Sequence, residues 1–162
     1  MDLVELTGSI IGGPGKTVEI DETLLCKRKY NRGRINSSNC QWLVGGACRE
    51  TKEIFLKREA NRKDYNVAAG TRIITDCWGG YNQLANVGFL HDTVNHSTHF
   101  VNPEDSNVHT QMVENFWRWL KDYLKKKGTN RAVNLNFYLA EYVFRRTYKN
   151  AFAALLVGIA LD

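Results

Sequence analysis

At 162 residues, with 43% hydrophobic and 11% aromatic side chains, the chain can bury one ordinary core and is too apolar to be disordered. Its formal charge of +5 is modest but unevenly spread: Lys27, Arg28, Lys29, Arg32 and Arg34 put five cations into eight residues with no acid among them, and Lys121 with Lys125, Lys126 and Lys127 forms a second cluster. A lone basic run is usually a solvated surface, whereas two such runs flanking candidate carboxylates point to a polyanion partner. No apolar run reaches the ~20 residues of a membrane span. Cys26, Cys40, Cys48 and Cys77 lack the spacing of a zinc site, and no disulfide framework is expected; they read as small buried or half-buried residues of a reducing compartment.

Along the chain, residues 1–16 read as a flexible lead-in through Gly12-Gly13-Pro14-Gly15. Gly15-Lys16-Thr17 is not a phosphate loop, because Ile10 stands where the first glycine is required and a strand follows it. A first strand is predicted over 17–25, a basic loop over 27–39, and a second strand over 41–48. The polar break at 49–52 suits a hairpin into a third strand at 53–57. After a weakly patterned link at 58–71 come a fourth strand at 72–76, a helix from Trp78 to Val87 and a short fifth strand near 91–94. The helix from about His109 to Lys126 has the clearest pattern, with Val113, Phe116, Trp117, Leu120 and Leu124 on one face. A last helix covers about Leu135 to Ala154. This order defines an α/β domain with a mixed sheet.

Acids in unusual settings mark the candidate site. Asp21 lies inside an apolar strand and Asp76 closes another, although Asp disfavours strands. Glu114 heads a stripe on the long helix with Arg118, Lys121 and Lys125 at i+4, i+7 and i+11. Taken alone, the stripe is ordinary intrahelical pairing worth ~0.3–0.5 kcal/mol per pair. With Asp21 and Asp76 beside it, it becomes a carboxylate ligand set with cations running along a nucleic-acid backbone. An all-oxygen set selects hard divalent ions such as magnesium. Glu19 shares a strand face with Asp21, and spacing leaves the choice between them open.

The ordered motifs resemble the catalytic domain of the ISXO-two-like group of DDE transposases, which has a ribonuclease H-like fold. The resemblance runs from Ile11 to Glu22, through Lys27 to Arg34, Ile74-Thr75-Asp76-Cys77-Trp78 with Tyr81, Thr93 to Ser97 and Phe100 to Pro103. It continues in His109-Thr110-Gln111 with Glu114, Trp117 and Lys121, and in Tyr138 to Glu141 with Arg145-Arg146. It implies a five-stranded mixed sheet with flanking helices; this chain departs from the family in offering only residues 58–71 for the crossover helix between the third and fourth strands, which is therefore expected to be shortened or missing. Fourteen extended residues reach ~46 Å, enough to close that link but not to cover the sheet face well. It also implies a lead-in at 1–10, the transposase domain at 11–150 and a C-terminal tail at 151–162.

By this resemblance Asp21, Asp76 and Glu114 form the catalytic and metal-binding triad, with two Mg²⁺ or Mn²⁺ ions as cofactors for in-line cleavage and strand transfer of DNA phosphodiesters. Lys27, Arg28, Lys29, Arg32, Arg34, Arg118, Lys121 and Lys125 are the expected DNA contacts, while His96 and His109 fit structural or substrate roles equally. The implied partners are transposon ends and target DNA, without a membrane, and with room for a homo-oligomer. The implied location is intracellular: the nucleus of a eukaryote, otherwise the cytoplasm or nucleoid. The alternative readings are a domesticated or decayed transposase-derived DNA-binding protein without catalytic activity, and a nuclease using the same carboxylates with water alone.

Overall fold

The computed structural model describes residues 10–26, 40–58, 66–76, 88–94, 105, 107–128 and 134–148. Five strands form the main sheet: β2 (Thr17–Cys26), β3 (Cys40–Cys48), β4 (Ile54–Arg58), β6 (Arg72–Asp76) and β7 (Leu90–Val94), in the order β4-β3-β2-β6-β7. The β2–β3 and β3–β4 pairs are antiparallel, whereas β6 runs parallel to both β2 and β7. The expected mixed α/β sheet is therefore present, with the first and fourth predicted strands as parallel neighbours.

Alternating side chains build two cores. On one face Leu43, Ala47, Ile54 and Leu56 pack against helix α1 (Gln111–Lys126) through Val113, Phe116, Trp117, Leu120 and Leu124. The same cluster takes Leu135, Leu139, Tyr142 and Val143 from α2 (Leu135–Thr147). On the other face Val18, Ile20, Val44, Cys48, Phe55 and Ile73 cluster together. This is the period-two pattern of a sheet buried on both sides. Glu141 on α2 ties the helices together, accepting from Tyr123 at 2.5 Å and Lys127 at 2.8 Å, and these partners lower its pKa to about 2.

Several expectations need correction. Part of the lead-in is a strand: β1 (Ile11–Gly12) pairs in parallel with β5 (Val67–Ala68), which lies inside the weakly patterned link. Ile11 and Val67 belong to the second core, so this small ladder covers part of the sheet face expected to be poorly covered. Gly12 makes it possible, with φ +90° and a Cβ position that would sit 2.5 Å from Thr71 Oγ1. That hydroxyl instead accepts from the Gly13 amide at 2.7 Å. Helix α2 stops at Thr147, with Tyr148 extended, short of the predicted end at Ala154. Cys40 is disulfide-bonded, against the expectation of reduced thiols throughout, and its register partner across the ladder is Cys26. Cys48 is free and buried, as expected. The basic loop, the helix predicted at 78–87, His96 and Cys77 lie outside the described residues.

Candidate carboxylate site

The acidic residues are brought together by strand register. The parallel pairs Thr17↔Arg72, Val18↔Ile73 and Glu19↔Ile74 keep a constant offset, which carried two residues further sets Asp21 beside Asp76. Both belong to the face that packs against α1, since Asp21 Oδ2 accepts from Trp117 Nε1 at 3.0 Å and residues two apart on a strand share a face. Glu114 occupies the first turn of α1.

The electrostatics of Asp21 report the company it keeps. Burial pushes its pKa up from 3.8 to about 6; the negative charges of Asp76 and Glu114 push the same way, while the Glu22 amide and the Trp117 indole oppose them. An ionised Asp21 is thus held at a cost that a bound cation would relieve, and its neighbours are hard oxygen donors, which fits magnesium or manganese. The three side chains do not yet form a closed cage: among the described residues no group of three or more His, Cys, Asp or Glu is placed to hold a metal ion. Glu114 Oε1 is turned along its own helix, where it accepts from Thr110 Oγ1 at 3.2 Å.

Glu19, the other acid on this strand face, has a different task. It is fully buried, and its Oε2 accepts from the Met112 amide at 2.7 Å and the Val113 amide at 3.0 Å, the unpaired donors of the α1 N-terminus. Its Oε1 binds Arg49 Nε at 2.7 Å, and Arg49 also donates to the carbonyls of Asn107 and His109. His109 sits within this clamp, its Nδ1 at 3.1 Å from Arg49. The Glu19–Arg49 pair therefore fixes the helix that carries Glu114.

Two partners went unread in the sequence. Trp117 looks like one more member of an apolar face, yet its indole N–H orients Asp21. Arg49 looks like a hairpin residue; the signal was Glu19, because a carboxylate in an apolar strand requires a buried donor. Arg118, Lys121 and Lys125 are all exposed on α1. The five basic residues of the loop lie outside the described residues.

Gly45, opposite Asp21 in the β2–β3 ladder, leaves room for the indole; a Cβ there would lie 2.7 Å from Trp117 and 2.9 Å from Phe116. Gly45→Ala is expected to cost about 1–3 kcal/mol by overpacking. Urea unfolding followed by tryptophan fluorescence checks this, and an unchanged midpoint would show that the Trp117 ring is not confined here.

A five-stranded mixed sheet with acids on adjoining parallel strands and on the packed helix defines a ribonuclease H-like α/β domain. The chain belongs to the ISXO2-like transposase domain family, whose profile it matches over residues 14–150. Searches of curated proteins and of solved structures gave no significant match. Among the described residues, no helix is long and apolar enough to cross a membrane.

Proposed function

We propose that this transposase-family domain cleaves and joins DNA phosphodiesters through Asp21, Asp76 and Glu114. The observation that carries the reading is the strand register that sets Asp21 beside Asp76 on the face packed by α1, whose first turn holds Glu114; the raised pKa of Asp21 accords with it. A divalent ion held by these carboxylates would supply Lewis-acid stabilisation of the phosphoryl oxygens and activate a water or a DNA 3′-hydroxyl. The chain's own contributions are separate. Trp117 aims Asp21; the Glu19–Arg49 clamp sets the position of Glu114; Arg118, Lys121 and Lys125 lie where a phosphate backbone approaching Glu114 would run.

The test is nicking of a supercoiled plasmid with Mg²⁺ or Mn²⁺, followed by joining of a pre-cut end. Nicking is expected in the wild type and not with chelator or in Asp76→Asn. Joining separates strand transfer from hydrolysis by water alone. A protein that binds DNA and never cuts with either metal would overturn the enzymatic reading in favour of a decayed or domesticated binding protein. DNA affinity is also expected to fall steeply with salt, and Lys121→Glu to reduce both the affinity and the slope of its salt dependence.

A further inference from the structure

A second feature of α1 lies round the helix from the carboxylate stripe. Gln111, Asn115 and Trp119 follow each other at four-residue spacing, so they form one ladder, about 100° of helical rotation from Glu114 for Asn115. They line a groove of about 430 Å³, closed by Lys52 of the β3–β4 turn and Arg146 of α2, with Phe116 among its apolar lining. Trp119 is 54% exposed, although burying an indole is the usual outcome for a residue of this size. Arg118, on the Glu114 stripe, has its guanidinium 5.4 Å from the Trp119 ring centroid, so groove and stripe adjoin.

The composition of the groove selects its occupant. No Asp or Glu lines it, while Lys52 and Arg146 supply positive charge at two sides. The indole offers a stacking surface, and the two amides offer donors and acceptors suited to a base edge. Its volume falls within the ~300–1,000 Å³ of small-ligand sites, which suits a nucleotide rather than a helix or a strand. We infer that this groove binds an unstacked nucleotide at a single-stranded DNA end, with the base on Trp119 and phosphates against Lys52 and Arg146. The inference rests on the DNA-processing reading given above and adds a subsite to it: the stripe holds duplex backbone, the groove holds a frayed or overhanging base.

Fluorescence anisotropy of the full chain with one labelled duplex, either blunt or carrying a three-nucleotide single-stranded tail, tests it. The wild type is expected to bind the tailed duplex about tenfold more tightly, the scale of stacking one base on an aromatic ring. Trp119→Ala should remove most of that gain and leave blunt-duplex affinity unchanged, and Trp119→Phe should keep most of it. An abasic tail, which keeps the phosphates and lacks the base, should lose most of the tailed duplex's advantage over a blunt end. Equal affinity for tailed and blunt DNA, or an undiminished preference in Trp119→Ala, overturns the subsite while leaving the duplex reading intact. Failure to bind any DNA overturns both. If Trp119→Ala instead changes the oligomeric state on size exclusion with no effect on tail preference, the groove is a contact between copies and the inference is wrong.

Discussion

Asp21→Asn is expected to make the metal-free protein more stable at neutral pH while reducing metal-dependent DNA cleavage by at least about a thousandfold. The stability half follows from proton linkage. The folded-state pKa of Asp21, about 6, lies above its ordinary value of 3.8, so between those values the folded protein holds more protons than the unfolded chain. Stability from this group is therefore complete below about pH 3.8, declines as pH rises to about 6 and stays low above it. The displacement corresponds to roughly 3 kcal/mol at most, and partial exposure of the side chain reduces the usable part to about 2 kcal/mol. Asparagine keeps an oxygen for the Trp117 N–H but carries no charge. Its unfolding midpoint should exceed that of the wild type by several degrees at pH 7.5 and match it near pH 4, measured in chelator. Adding Mn²⁺ should raise the wild-type midpoint and have much less effect on the variant. A variant less stable than the wild type at pH 7.5, with the same pH dependence, would show that Asp21 bears no charge burden.

Such a coupling of lost activity to gained stability would be a physical signature of the proposed site. A scaffold carboxylate such as Glu19 or Glu141 is surrounded by donors, and removing it leaves those donors wanting. Asp21 has the Trp117 and Glu22 N–H donors set against burial and two like charges. Carboxylates held against their own repulsion are a common arrangement where a cation or a reacting group completes the charge balance.

Much of the fold was legible because its elements obey their periods. The strand at 72–76 appears with the predicted bounds, and α1 ends where its apolar stripe ends, because Lys127 and Gly128 carry no further buried side chain. The β1–β5 ladder was not legible. It is two residues long on each side, pairs segments more than fifty residues apart, and passes through glycines that read locally as a flexible stretch. The end of α2 was missed because Ala151 to Leu161 continues an apolar pattern, while Tyr148 leaves the helix through an extended conformation that no proline or glycine announces. For the site, residue type identified the acids, but only strand register could put Asp21 next to Asp76. The division of labour between Glu19 and Asp21, two residues apart on the same strand face, depended on the N-terminus of α1, about ninety residues further along the chain.

Glu19→Ala is expected to be the most damaging single change to stability, about 3–5 kcal/mol, which is a large share of the ~5–15 kcal/mol typical of a folded domain. Three losses combine. Arg49 keeps a half-buried positive charge without its hydrogen-bonded carboxylate, the Met112 and Val113 amides lose their acceptor, and α1 loses the negative charge at its positive end. Thr110 cannot compensate, because its side chain makes no capping bond to the helix and its hydroxyl is committed to Glu114. Glu19→Gln should cost roughly 1–2 kcal/mol, since one amide oxygen can still accept from the helix while the ion pair is gone. Pairing Glu19→Leu with Arg49→Met should cost less than Glu19→Leu alone, because no orphaned charge remains; what is left is the missing cap, about 1 kcal/mol, and the loss of the Arg49 donors to the Asn107 and His109 carbonyls. Urea unfolding of these four variants together with Arg49→Met alone completes the cycle and measures the coupling, and additive costs in the double variant would show that Glu19 and Arg49 act independently. Because the clamp holds the first turn of α1, the surviving folded fraction of Glu19→Gln should also cleave DNA more slowly per folded molecule, with Glu114 no longer fixed relative to Asp21 and Asp76.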